Sequence, residues 1–240
     1  MTSVINDLYD YRGLKIYQYA DKFKFSLDSI LLAEFVELKN NTRIIVDFCT
    51  GNAPVPLILS TKTNARLYGF ELQPNIFKLA KMSVRENNLE SQINVINANL
   101  TEALEYILPE SVDAVTCNPP YFKYDKNKSL INEDEEKAIA RHEIAMNLED
   151  LMTAAKYILK NKAPLYLVHR PDRLEEILDC LERYNFKVKK LQFIYAGYKK
   201  EAIMVLIKAT KNGKMGSLKV MPPVDVLQHK SYKGIFEMGD

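Results

Sequence analysis

From residue 43 onward, short β-branched apolar runs alternate with helical patterns, and nothing else in the chain restricts its fold as tightly. Residues 43–48 (RIIVDF) read as a buried strand, followed by a turn at 49–52 and a helix from about Pro54. Pro54 and Pro56 are compatible with that helix because its first turn has no intrahelical N–H bond to lose. Residues 66–71 (RLYGFE) predict a second strand, 74–88 a helix opened by Pro74, 94–97 a third strand, 101–107 a short helix and 112–117 a fourth strand. A largely helical stretch is expected over 138–159, a strand over 164–169 (PLYLVH) and an amphipathic helix over 173–184. Strands around 188–195 and 202–208 then follow with no helix between them. Strands that alternate with helices make a parallel sheet, and the helix-free final pair predicts an antiparallel hairpin at one edge. The expected fold class is therefore α/β, a Rossmann-like doubly wound sheet, mostly parallel with a C-terminal antiparallel hairpin. A length of 240 residues suits one such domain spanning 1–240.

Residues 1–40 differ in character and read as a basic, aromatic N-terminal extension beside the core. Tyr11, Arg12, Lys15, Tyr17, Tyr19, Lys22, Phe23, Lys24 and Phe25 interleave rings with positive charge. Aromatics can stack on unpaired bases while Lys and Arg neutralise phosphates. For most of these rings, packing against the domain is the better expectation, since stacking rings are a minority of all aromatics. Residues 26–38 (SLDSILLAEFVEL) predict an amphipathic helix with Ser26 or Asp28 near its start as a cap.

Charge is uneven along the chain. Residues 151–240 carry 17 Lys and Arg against 9 Asp and Glu, and residues 1–150 carry 16 against 22, within totals of 33 and 31. A basic C-terminal half hints at a polyanionic partner. No start of signal-peptide type and no apolar stretch of membrane-spanning length is present, so neither secretion nor membrane insertion is expected. Cys49, Cys117 and Cys180 form no CxxC pair and no even disulfide framework, which suits a reducing cytoplasm. His142, His169 and His229 lack metal-ligand spacing, so no metal is expected.

The chemistry concentrates at the ends of the expected strands. After the first strand comes Asp47-Phe48-Cys49-Thr50-Gly51-Asn52-Ala53. In open α/β sheets, ligands bind outside the carboxyl ends of the strands, where the first turn brings backbone close to them. Gly51 can take positive φ and its missing Cβ leaves room for a nucleoside. Asp47 can orient the amino-acid part of a ligand. Glu71, ending the second strand 24 positions later, falls near the offset at which an acidic group meets a ribose diol in dinucleotide folds. There is no GxGxxG and no GxxxxGK[ST], so NAD and nucleoside triphosphates are poorly supported, and a single Gly suits a phosphate-free ligand such as S-adenosylmethionine. Thr50, Asn52 and Leu72 complete the expected ligand-binding set with Asp47, Gly51, Glu71 and Asn118.

The fourth strand ends in Asn118-Pro119-Pro120-Tyr121. Two prolines remove two backbone donors and stiffen the loop. The Asn118 side-chain oxygen and the Pro119 carbonyl can both accept from one –NH2 group, aiming its nitrogen lone pair at an electrophilic methyl. Tyr121 can stack on a flat base swung out of its own stack. Asn118, Pro119, Pro120 and Tyr121 are the expected catalytic residues.

Together these stretches resemble class I methyltransferases that act on amino groups. Along nearly its whole length the chain is similar to the bacterial tRNA(Val) adenine-37 N6-methyltransferase family. The supporting segments are FKFSLDSILLAEF (23–35), DFCTGNAPVPLIL (47–59), CNPPYF (117–122), ARHE (140–143) and VMPPVDV (220–226). The tetrapeptide NPPY is shared with DNA and glutamine methylases, so it speaks for the reaction type more than for the substrate. The resemblance implies that Asp47, Gly51 and Glu71 hold S-adenosylmethionine and that residues 118–121 hold the adenine. It implies tRNA as the partner, and the basic residues Arg12, Lys22, Lys24, Arg141, Lys187, Lys189 and Lys190 are candidate RNA contacts by their charge. Three positions depart from the family. Its turn is usually a Gly-rich DLGTGNG, whereas Cys49 and Ala53 replace two glycines here, and Asn99 stands where an acidic residue commonly meets the cofactor adenine. The alternatives are a protein glutamine N5-methyltransferase and an RNA-binding module that has lost cofactor affinity. Residues 123–137, dense in charge and Asn, are a candidate lid.

Overall fold

A computed structural model describes residues 3–8, 11, 13–19, 27–119, 147–197, 200–228 and 232. Its central element is a nine-stranded sheet. The parallel strands are β3 (Ile44–Phe48), β4 (Arg66–Phe70), β5 (Ile93–Ile96), β6 (Ala114–Cys117) and β7 (Pro164–His169), in the spatial order β5-β4-β3-β6-β7. The long hairpin of β8 (Phe186–Tyr195) and β9 (Ala202–Lys211) follows, with β9 inserted antiparallel between β7 and β8. The expected parallel sheet with a terminal hairpin is therefore what the chain forms. Two short strands carry no alternation strong enough to read from the sequence. β10 (Lys219–Val220) and β11 (Val224–Asp225) run parallel to β8 along its outer edge.

Side chains alternate across the sheet with the period of two that a strand imposes. Ile45, Leu67, Ala114, Tyr166 and Leu206 face one layer, built from α1 (Leu27–Phe35), α2 (Pro54–Ser60) and α3 (Pro74–Glu86). Val46, Phe48, Val115, Leu165 and Ile207 face the other, built from the short α4 (Ala103–Tyr106), α5 (Leu148–Ile158) and α6 (Leu174–Arg183). The helix starts follow local chemistry. Prolines occupy the first positions of α2 and α3. Asn147 opens α5 with a capping box, its Oδ1 accepting from Asp150 N–H at 2.8 Å.

The extension begins with a hairpin that aromatic and basic content did not reveal: β1 (Ser3–Asp7) pairs antiparallel with β2 (Lys15–Tyr19). Side chains, not another strand, cap the outer edge of β2. Ser83 Oγ accepts from Tyr17 N–H at 2.9 Å, and Asn87 accepts from Lys15 N–H at 2.8 Å and donates to Lys15 C=O at 2.7 Å. Tyr11, Tyr17 and Tyr19 each place their hydroxyl on a protein partner, respectively Glu34, Glu86 and the Asn75 carbonyl. Of the three, Tyr11 packs its ring against the core. The helix expected over 26–38 is shorter: it ends at Phe35, and Asp28 lies inside its first turn instead of capping it. Ser26 and residues 123–146 lie outside the described residues.

The far end of α1 is fastened to the sheet by Tyr166, which is fully buried on β7. Its hydroxyl donates to Glu37 C=O at 3.0 Å and accepts from Glu37 N–H at 3.2 Å, while its ring meets Phe35 edge-on at 6.1 Å. Tyr166→Phe keeps the ring and strands both backbone groups, so it should lower the unfolding free energy by about 1–2 kcal/mol. A urea titration with unchanged slope and a lower midpoint is the expected result.

Candidate active site

Register places the ends of β3, β4, β5 and β6 level with one another: Phe48 pairs with Phe70 and with Cys117, and Phe70 with Ile96. The turn leaving β3 rises above this rim. Within five residues it holds three positive φ values: Cys49 at 56°, Gly51 at 60° and Ala53 at 72°. Glycine accepts this region freely, whereas a Cβ costs about 1–2 kcal/mol there. The two positions where the resembling family carries glycine thus keep the glycine backbone and bear the strain of a side chain. Three bonds hold the turn in place: Thr50 N–H to Phe70 C=O at 2.9 Å, Ala53 N–H to Thr50 C=O at 3.0 Å, and Gly51 N–H to Glu71 Oε2 at 2.9 Å. A Cβ on Gly51 would meet nothing within 4 Å, so the surface of the turn at Gly51 is open to a ligand.

Two buried carboxylates anchor the rim. Glu71 also accepts from Gln73 N–H at 2.8 Å, and burial pushes its carboxyl above the usual range. Asp47 accepts from Thr50 Oγ1 at 2.6 Å and from Thr116 Oγ1 at 2.5 Å. Burial pushes its carboxyl up to about 7, against the pull of those hydroxyls, and the nearby Glu71 charge adds to the rise. Gly69, level with Asp47 on β4, is required for this arrangement. A Cβ there would lie 2.8 Å from Thr50 Oγ1, in the space the hydroxyl uses to reach Asp47.

At the neighbouring rim position, β6 delivers Asn118 and the buried Pro119. Asn118 Nδ2 donates to Ser29 Oγ on α1 at 3.1 Å, which directs the amide's nitrogen edge toward the helix and its oxygen edge away from it. The expected ligand residues Asp47, Thr50, Gly51, Asn52, Glu71, Leu72, Asn99 and Asn118 thus gather along one rim of the sheet. Asn52 donates to Tyr17 C=O at 2.9 Å, and Asn99 caps a 3-10 turn by accepting from Thr101 N–H at 3.1 Å. Leu72 is partly exposed, its carbonyl held by Asn97 at 3.0 Å. Ser29, Gly69, Asn97 and Thr116 escaped the sequence reading. Ser29 lies within the resembling segment 23–35 but has no role evident there, and only pairing across strands or onto α1 gives these residues one. Pro120, Tyr121, Arg12, Lys22, Lys24 and Arg141 lie outside the described residues.

Of the remaining lysines, Lys187 lies at the opposite end of the sheet from this rim, and Lys190, on β8 toward the outer edge of the sheet, lies level with Tyr166 and Thr116. β8 runs in the same direction as β7, and Lys187 and Pro164 pair with the same residue of β9, so Lys187 lies level with the start of β7. It pairs with Glu182, Lys190 pairs with Glu37, and Lys189 donates to the carbonyls of Lys214 and Gly216. Among the described residues no helix is long and apolar enough to cross a membrane, and no group of three or more His, Cys, Asp or Glu is placed to hold a metal ion.

A five-strand parallel core whose last parallel strand, β7, is flanked by an antiparallel strand, with the ligand rim at the strand ends, is the architecture of class I methyltransferases. The chain superposes on the crystal structure of a predicted O-methyltransferase from Agrobacterium tumefaciens with a TM-score of 0.66 at 19% identity, covering 88% of this chain and 94% of that one. Residues 24–184 match the methyltransferase small domain, and the chain belongs to that family. Curated relatives include a tRNA1(Val) (adenine(37)-N6)-methyltransferase of Actinobacillus pleuropneumoniae, 28% identical over 137 residues. That match covers 56% of this chain and spans about half of the relative, 55% of its length. A protein of the same name from Cytophaga hutchinsonii is 21% identical over 190 residues, 79% of this chain and 78% of that one.

The buried Asp47 sets a pH dependence. Its carboxyl titrates near 3.8 when unfolded and near 7 when folded, so the folded state holds the extra proton between those values. Stability contributed by this group is present at low pH and is lost as pH rises through about 7. Asp47→Asn should remove this slope: the variant's melting temperature should gain on wild type between pH 5 and pH 8. An unchanged difference across that range would contradict the assignment.

Proposed function

We propose that this chain transfers a methyl group from S-adenosylmethionine to the exocyclic N6 of an adenine in tRNA, with adenine 37 of valine tRNA as the site. The observation that carries the reading is the placement of Asn118 and Pro119 on the rim beside the Gly51 turn, with Ser29 orienting the Asn118 amide. The residues present fit the donor. The turn surface at Gly51 is open, Glu71 stands at the end of β4 where a ribose diol would need an acceptor, and Asp47 lies beneath the turn. When bound, S-adenosylmethionine supplies an electrophilic sulfonium methyl.

The protein's part is positioning. Asn118 Oδ1 and the Pro119 carbonyl accept from the adenine amino group, which withdraws the nitrogen lone pair from conjugation and points it across the rim. The N–C bond forms as the S–C bond breaks, sulfur keeps the bonding pair, and the surplus N–H proton leaves to solvent. Holding both partners in line can contribute several kcal/mol. The names of the curated relatives and the basic C-terminal half support tRNA as the substrate.

The direct test is transfer of labelled methyl from S-adenosylmethionine to unmodified total tRNA, followed by nucleoside digestion and chromatography. Label should appear as N6-methyladenosine and vanish in Asn118→Ala. Label in protein glutamine instead of RNA would overturn the substrate. Ser29→Ala releases the Asn118 amide without touching the donor, so kcat should fall about tenfold, the equivalent of one hydrogen bond, with KM for S-adenosylmethionine unchanged. A rise in KM with kcat intact would give Ser29 a binding role instead.

A further inference from the structure

One buried donor in the described chain has no acceptor and lies beside this rim. Gln18 on β2 is only 2% exposed. Its Oε1 accepts from Asn6 Nδ2 at 3.3 Å, which fixes the amide's orientation, while its Nε2 is buried with no hydrogen-bond partner. A buried donor left unmade is costly, so its persistence calls for an explanation outside the unliganded fold.

The neighbours of Gln18 locate it. The carbonyl of Tyr17 is bound by Asn52, the residue after Gly51 in the turn that leaves β3. The hydroxyl of Tyr19 donates to the Asn75 carbonyl in the first turn of α3, four residues after Glu71. Gln18 lies between these two attachments, so β2 spans the gap between the turn above β3 and the one that follows β4. Both turns leave the carboxyl ends of parallel strands, the side of an open α/β sheet on which ligands bind. The two acidic side chains of the rim, Asp47 and Glu71, suit the donor groups of a nucleoside amino acid, its ammonium and its hydroxyls. An amide nitrogen can only donate, so Gln18 suits an acceptor. Among the polar groups of such a ligand the ammonium and hydroxyls donate, and the acceptor that carries a charge is the carboxylate.

We propose that Gln18 is a recognition residue of the methyl-donor site, its Nε2 donating to the carboxylate of the donor's amino-acid part; this rests on the reading of the rim as an S-adenosylmethionine site. β2 is then a wall of that site as well as a fastening on α3.

Calorimetric titration of the full chain with two probes tests this. S-adenosylhomocysteine carries the carboxylate, and 5′-methylthioadenosine has the same nucleoside without the amino-acid part. Gln18→Leu should weaken S-adenosylhomocysteine roughly 10- to 100-fold, the range for a hydrogen bond to a charged group, and leave 5′-methylthioadenosine within about twofold. It should also raise the melting temperature of the unliganded protein, because the orphaned donor is gone. Gln18→Glu keeps an acceptor for Asn6 and sets a negative charge toward the ligand carboxylate, so it should weaken S-adenosylhomocysteine further. Unchanged S-adenosylhomocysteine affinity in both variants would overturn the proposal while leaving the donor site intact. Equal loss for both probes, or a lower melting temperature in Gln18→Leu, would make Gln18 structural and overturn it. Failure of the wild-type protein to bind either probe would overturn the donor-site reading itself, and the proposal with it.

Discussion

The rim depends on a carboxylate that two hydroxyls hold inside the sheet. Asp47 takes Thr50 from the turn above its own strand and Thr116 from the next strand, two residues before Asn118. The turn that shapes the proposed donor site and the strand that delivers the proposed catalytic amide therefore share one anchor. Coupling of this kind fixes the separation between the two reacting partners, which is the quantity that matters most when catalysis is positioning. A buried carboxylate is an expensive anchor, and its upward shift is the sign of that cost. Gly69 belongs to the same unit, since the space that Thr50 needs exists only because the facing strand has no side chain there.

Much of this architecture was legible in the sequence because parallel α/β folds write themselves locally. Each strand from β3 to β7 is a short apolar run, α2 and α3 start at a proline and α5 at a capping box, and the first and last expected boundaries fall within a few residues of those observed. The absence of a helix between β8 and β9 was enough to predict their antiparallel pairing. What stayed hidden is non-local. The β1–β2 hairpin is a pair of mixed-polarity strands whose edge is satisfied by side chains 35 to 72 residues away, and no periodicity encodes that. Two-residue strands such as β10 and β11 have too little sequence to show a pattern, and they exist because β8 offers an edge.

The site divides in the same way. Asp47, Gly51, Glu71 and Asn118 announce themselves as acidic, flexible or amide residues at strand ends. Ser29 and Thr116 do not, because a hydroxyl within an apolar helix or strand reads as an ordinary core position until its partner is known. The reading of Lys187, Lys189 and Lys190 from net charge shows the opposite limit. Composition counts charges, but register decides where they sit: Lys187 is level with the start of β7 and Lys190 with Thr116, and each has a protein partner.

The capped edge of β2 has a further consequence. An unpaired strand edge invites another chain to add to it, and proteins block such edges in various ways. Here Ser83, Asn87 and Asn52 fill the hydrogen-bonding positions that a foreign strand would take. That edge of the hairpin is thereby closed to strand addition without being woven into the main sheet. Two kinds of force hold it there, the side-chain bonds along β2 and the burial of Leu8 and Ile16 in the core shared with α1 and α2, so the hairpin is bonded at its edge and packed on its face.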